Sequence, residues 1–179
     1  FADVDNFLLY DFYTNEGNLN ENVFAYSNEA EGQRSLVVFH NIFHETAGYV
    51  HSANKPVLEN GKFHWQQITL AKAWHLHHED GWFTIFTDAI NGSTYIRKSR
   101  ELHQKGLHII LSAFKYSVFW DVYEVHDPEE IYAKLHDHLQ MKGTANLGRA
   151  LKKLRFSDML DAFSQIISPE MMKYLVLNW

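Results

Sequence analysis

His75-Leu76-His77-His78 is the densest group of potential ligands in a chain that holds twelve histidines. On an extended strand His75 and His77 fall on the same side, roughly 6.5 to 7 Å apart. Two imidazoles at that spacing can share a metal ion. Barrels that bind metal through such a pair add a glutamate a few residues on and a distant third histidine. Here Glu79 follows at once, too early for that pattern. The competing reading is a polar strand end running into the turn Glu79-Asp80-Gly81. His40-Asn41-Ile42-Phe43-His44 has the histidine spacing of a zinc protease helix but lacks the glutamate that acts as base. Asn41 also suits a strand end better than a helix. His136 and His138 lie two apart on an expected helix, hence on different faces, and read as solvated surface residues.

Other chemistries find less support. A glycosidase needs two carboxyl groups at a set separation across a sugar ring. Carboxylates are plentiful, but none sits in a recognisable context. The chain has no Gly-x-Ser-x-Gly elbow, phosphate-cradling glycine loop or dinucleotide fingerprint. It has no cysteine, which excludes disulfides, thiolate zinc sites and cysteine nucleophiles. No cofactor is expected. Trp65, Trp74 and Trp82 fall near expected strand ends and turns. Flat aromatic faces there can stack on sugar rings, and large aromatics equally serve to bury core area.

Composition narrows the partners. Aromatic residues make up 15% of the chain, which suits a pleated, half-buried surface. The net charge of −6 is uneven: residues 127–179 are neutral overall, and residues 1–126 carry fifteen acidic against nine basic side chains. An acidic sheet repels phosphate backbones, so nucleic acid is not an expected partner. Arg149, Lys152, Lys153 and Arg155 read as a solvated helix face. Asn91-Gly92-Ser93 matches a glycosylation acceptor but is better read as a turn. No start resembles a signal peptide and no apolar run is long enough for a bilayer, so no membrane partner is expected and a soluble, cytoplasmic protein is slightly favoured. The chain opens on Phe1, which leaves open that it is a piece of a longer protein.

The elements that must position these residues are mostly strands. Phe114 to Tyr123 alternates strictly. Phe114, Tyr116, Val118, Trp120 and Val122 are expected on a buried face, with Lys115, Ser117, Phe119, Asp121 and Tyr123 on a wetter one. Val23–Tyr26 and Arg34–Asn41 form a hairpin around the polar connector Ser27 to Gln33. Leu36 to Phe39 is apolar on both faces, so that strand is expected between two layers. Further strands are expected at Gly48–His51, Gln67–Trp74, Trp82–Thr87, Thr94–Ile96 and Leu107–Leu111, with turns at Glu59-Asn60-Gly61, Glu79-Asp80-Gly81 and Asn91-Gly92. Ser99 to Lys105, ended by Gly106, reads as a short helix. The segment Phe1 to Thr14 is apolar and aromatic, either strand or helix tail.

At Asp127 the pattern changes. Asp127-Pro128-Glu129-Glu130 predicts a helix start with Asp127 as N-cap. Ile131, Leu135 and Leu139 follow on one face. Leu147, Leu151 and Leu154 mark a second helix. Ser157 opens a third with Leu160, Phe163 and Ile167, and Ser168-Pro169 opens a fourth carrying Met172, Leu175, Val176 and Trp179. The fold expected is mainly β: an antiparallel β-sandwich over residues 1–126, followed by a helical extension over residues 127–179.

The segment Asn22-Val23-Phe24-Ala25-Tyr26-Ser27-Asn28, followed by Gln33-Arg34-Ser35-Leu36-Val37-Val38-Phe39-His40-Asn41, resembles the C-terminal β-sandwich region that follows the catalytic barrel in α-amylase-family glycoside hydrolases. The later run Gly106 to Phe119 looks like that domain's closing hairpin. The likeness spans about Asn22 to Val125, with a poorly matched middle from His44 to Ala89. His40, the long stretch His51 to His78 and the helices after Asp127 depart from the family pattern. None of the barrel's catalytic acids maps onto this chain. The resemblance implies a non-catalytic accessory domain, packed against the catalytic barrel of a parent enzyme acting on α-glucans. Two rivals stand beside it. One is an independent carbohydrate-binding module using Trp65, Trp74 and Trp82. The other is a small metal enzyme on a β-barrel with His75 and His77 as ligands.

Overall fold

Two-residue turns set the frame. Glu31-Gly32 and Asn60-Gly61 both hold positive φ at each residue, the twist that lets a tight hairpin match its strands. Glycine adopts that region without penalty, and asparagine tolerates it. The first turn joins β2 (Val23–Ala30) to β3 (Gln33–His40), and the second joins β4 (Thr46–Glu59) to β5 (Lys62–Thr69). The computed structural model describes residues 6–166 and 169–178. Within them the apolar opening segment is a strand, β1 (Asn6–Thr14). The remaining strands are β6 (Trp82–Asp88), β7 (Thr94–Lys98), β8 (Leu107–Leu111) and β9 (Tyr116–His126). The fold is mainly β with C-terminal helices, as the alternating pattern implied.

All nine strands pair antiparallel in one sheet, in the order β5-β4-β1-β2-β3-β9-β6-β7, and β8 pairs with β4. The long strand β4 carries three neighbours, with β8 on Thr46 to Val50 and β5 on Ser52 to Glu59. The sheet curls over one core, an arrangement compatible with the layered sandwich expected. Leu8, Phe12, Val38, Leu36, Phe86, Phe119 and Ile109 meet there from five strands. Two short helices close it: α1 (Leu70–Ala73) brings Leu70 and the following Trp74, and α2 (Ser99–Lys105) brings Leu102. Thr69 caps α1 by accepting from the Lys72 amide, and Gly106 ends α2 at φ +80°.

The chain after β9 is helical, with α3 (Ile131–Leu139), α4 (Leu147–Arg155), α5 (Ser157–Ile166) and α6 (Pro169–Leu177). Leu135, Leu139, Leu151 and Leu154 lie over Phe83, Ile85 and Ile96, which leave β6 and β7 on the side opposite the main core. This second, smaller core fixes α3 and α4 to the outer face of one end of the sheet.

Four expectations are corrected. The strand expected at Gln67–Trp74 ends at Thr69, where the threonine caps α1 instead. Asp127 does not sit directly before the helix, since Glu130 occupies that place in a left-handed conformation. The Asp127 carboxylate still serves the first turn, accepting from the Ile131 and Ala133 amides at 2.9 and 2.8 Å. Leu36 and Val38 are buried, but Val37 and Phe39 are only half-buried and face outward, so that strand is not sealed between two layers.

The largest correction concerns β9. Phe119, expected outside, is buried, while Tyr116 and Trp120, expected inside, are exposed. At Asp121 the backbone has φ +51° and the pairing with β6 shifts register between Ile85 and Thr87. A bulge of this kind reverses the side on which later residues fall. Val122 therefore rejoins the main core, as expected of it. Phe114 lies in the turn before the strand. The expectations for Ile167, Ser168 and Trp179 fall outside the described residues.

Candidate functional site

The outer face of the sheet carries apolar side chains in rows. Leu9, Tyr26, Val37 and Val118 stand opposite one another across β1, β2, β3 and β9. Beside them Phe24, Phe39 and Tyr116 make a second row across β2, β3 and β9. Each alternates with core residues such as Leu8, Ala25 and Val38, so all leave the sheet on the side away from the core. Leu9 is 64% exposed, and Phe7, Phe24, Tyr116 and Trp120 are each about half exposed. Phe7 packs its ring on Tyr26 at 5.6 Å. At the β6–β7 end the same face is covered by α3 and α4. Over β1 to β3 and the first half of β9 neither α3 nor α4 covers it: Tyr26, Val37, Phe39 and Val118 are half-buried among their neighbours, and Leu9, Phe24 and Tyr116 are exposed.

This face is an unusual surface. Monomeric proteins rarely expose a contiguous apolar patch beyond a few hundred Å² unless it is used for recognition. Burial of apolar area contributes about 25 cal/mol per Å², so the area of Leu9, Phe24 and Tyr116 that stays in water is an unused driving force.

The β4–β5 hairpin extends the sheet as a ribbon exposed on both sides from Asn54 to Gln66. Trp65 stands opposite Pro56, and Phe63 opposite Leu58. Trp65 is 73% exposed and Phe63 is similarly bare. Of the three tryptophans considered as sugar platforms, Trp65 alone presents a free ring. Trp74 is 1% exposed, packed on Phe86 in the core, and offers no face to a sugar. Trp82 is half-buried, with one face stacked on His77 at 3.6 Å between ring centres and His126 5.1 Å away. The three are therefore not one platform.

The histidines do not converge. His75 and His77 lie after α1, in a loop rather than on a strand, with His75 at φ +52°. Each binds a different carboxylate: His75 Nε2 lies 3.3 Å from Glu29, and His77 Nδ1 lies 2.8 Å from Glu124. Among the described residues no group of three His, Asp or Glu side chains is placed to hold a metal ion. His40 is buried on β3 and His44 lies in the following loop, so the pair shares no helix. His138 is exposed, whereas His136 is half-buried, beside Asp137 at 2.9 Å. That contact holds the Asp137 carboxyl below its usual range.

One polar cluster superficially resembles a hydrolase triad. Ser99 Oγ donates to Glu124 at 2.6 Å and also meets Thr84 Oγ1 at 2.8 Å. Glu124 then accepts from the His77 backbone amide and faces the His77 ring. The carboxylate stands between hydroxyl and imidazole, where a triad needs the imidazole in the middle. Ser99 is fully buried. The cluster pins the His75–His78 loop onto β9 and satisfies buried hydroxyls.

Sequence reasoning missed the bare face because it assigned Tyr116, Val118 and Trp120 to the core. The signal was present: Val37, Phe39, Tyr26 and Phe24 are apolar at positions where a wet strand face would be polar. No protein-family model matches the chain, and neither does any curated protein or solved structure. No described helix is long and apolar enough to cross a membrane.

Proposed function

We propose that the chain is a non-catalytic accessory domain of an α-amylase-family glycoside hydrolase acting on α-glucans, docked on the catalytic barrel through the bare outer face of its sheet. The observation that carries this reading is the pair of rows Leu9-Tyr26-Val37-Val118 and Phe24-Phe39-Tyr116, left open beside the part of the same face that α3 and α4 cover. An extended apolar face resembles the interior half of a permanent interface, which is more hydrophobic than a transient one. The sequence resemblance over Asn22 to Val125 supplies the identity of the partner. Among the described residues the cluster of Ser99, Glu124 and His77 sets the carboxylate between hydroxyl and imidazole, which supports the non-catalytic reading.

The test is surface labelling with a carbene reagent, on the chain alone and on the chain mixed with the catalytic barrel of an α-amylase-family enzyme. Leu9, Phe24, Tyr116 and Trp120 are expected to label strongly in the first and weakly in the second. Equal labelling in both rejects the docking. Hydrolysis of starch by the isolated chain, abolished by a carboxylate substitution, rejects the non-catalytic reading.

Exposed Trp65 favours a second reading, a direct contact with glucan. Its ring sits on a ribbon that projects beyond the core, open to a sugar on one face. Calorimetry with maltoheptaose tests it: binding lost in Trp65→Ala supports the contact, and absence of heat from the unsubstituted chain removes it.

A further inference from the structure

The sheet does not close, and its gap holds a buried charge. β7 lies at one end of the strand order and β8 hangs on β4 near the other. Residues of both line a single cavity of about 560 Å³, together with parts of β6, β9 and the segment after α3. Phe86, Tyr95 and Phe119 supply aromatic wall, with Tyr95 and Phe119 edge to face at 6.1 Å.

Arg97 lines this cavity and is 8% exposed. Its Nη1 donates to the Ile96 carbonyl at 2.8 Å and its Nη2 to the Met141 carbonyl at 2.9 Å. Its Nε has no partner. Among the described residues no carboxylate lies within ion-pairing distance of this guanidinium. The carboxylate that shares the cavity, Asp88, is already committed: it accepts from the Ile90 amide and from Asn91 Nδ2, both at 3.0 Å. Tyr95 offers its ring at 5.6 Å from the guanidinium carbon, which stabilises the cation but does not neutralise it. The other ionisable side chains on the lining are His108 and Lys142, neither of them acidic. A guanidinium cannot shed its proton to escape burial, and a buried charge without a counter-charge is costly. Burial accordingly pulls the Arg97 pKa down, against the weaker fields of Tyr95 and Glu101, and burial first and the Arg97 charge second pull His108 down.

We infer that this cavity binds a small oxyanion-bearing molecule, its carboxylate or phosphate set against Arg97 and its body against Tyr95 and Phe119. A planar guanidinium matches the two oxygens of either group, and aromatic walls around a few polar groups are what small-molecule sites share.

The experiment follows the side-chain Nε–H resonance of Arg97 by NMR while inorganic phosphate, benzoate or glucose 6-phosphate is added at constant ionic strength. Sodium chloride and maltose serve as controls. At least one anion is expected to shift that resonance saturably, in the millimolar range or tighter, and chloride to leave it in place. Benzoate against phosphate tells carboxylate from phosphate. In Arg97→Gln the affinity is expected to fall at least tenfold. The titration of the unsubstituted chain stands on its own if that variant does not fold. Silence at Arg97 with every anion overturns the inference, as does anion binding that is unchanged in Arg97→Gln. A shift with maltose alone also overturns it, and makes the cavity a neutral-sugar site.

Discussion

Phe39 on β3 stands directly opposite Tyr116 on β9, and both rings leave the sheet on the side away from the core. One residue earlier on β3, Val38 is completely buried. The same pair of strands thus builds the core with one set of side chains and an uncovered apolar surface with the other.

Replacing outward residues should spare the fold and change the surface. Leu9→Glu, Phe24→Glu and Tyr116→Glu are expected to move stability by about 0.5 kcal/mol or less each, as exposed positions do. They should lower binding of a hydrophobic dye and reduce self-association of the isolated chain. Val38→Glu places a charge in the core and should prevent folding. Thermal melts with dye fluorescence read both effects. If the Glu variants at Leu9, Phe24 and Tyr116 unfold the chain as Val38→Glu does, the face is core and not surface.

Trp65 and Trp74 should separate cleanly. Trp74→Ala removes a fully buried ring and is expected to cost about 3–5 kcal/mol. Trp65→Ala removes an exposed ring and should leave the urea midpoint nearly unchanged. Equal losses for the two would show that the β4–β5 ribbon is buried in solution.

Asp121 carries the bulge of β9 at φ +51°. Aspartate tolerates this left-handed region, glycine enters it freely, and a β-branched residue does not. Asp121→Gly should therefore be neutral or slightly stabilising, and Asp121→Val should cost about 1–3 kcal/mol. Urea unfolding of the two variants decides it. Equal stability would remove the bulge as the reason Val122 faces the core.

Tyr10 predicts an alkaline limit. Its hydroxyl bonds Ser27 Oγ at 2.8 Å inside the core, and burial raises its pKa to about 12 from the usual 10.0. Between those values the unfolded chain loses the proton and the folded chain keeps it. Stability is therefore fully present below about pH 10 and falls as pH rises toward 12, by about 2–3 kcal/mol. Tyr10→Phe should flatten that stretch of the curve, and should cost about 1 kcal/mol at neutral pH for the lost hydrogen bond. An unchanged alkaline slope in Tyr10→Phe would assign the loss to another group.

Much of the architecture was legible from local chemistry. Gly61 marked one hairpin turn, Gly106 marked the end of α2, and Leu147, Leu151 and Leu154 outlined α4, whereas the connector expected at Ser27 to Gln33 shrinks to the two residues Glu31-Gly32 because both strands run on into it. These are decisions that a few neighbouring residues make through φ preference and helical period. Thr69 was harder, since a threonine continues a strand as readily as it caps a helix, and only the position of Leu70 in the core favoured the cap. Tyr116 and Trp120 were harder still, because an apolar side chain reports the wish to be buried and not the body that buries it.

The alternation itself fixed that this chain forms antiparallel strands up to His126 and helices after it, because period and turn residues act within a few positions. Which face of β9 is core, where His75 and His77 end up, and the presence of Arg97 in an unclosed gap were decided by tertiary structure alone. Those outcomes depend on a single bulge at Asp121 and on pairings between strands dozens of residues apart, where side-chain type constrains little until the whole sheet has curled.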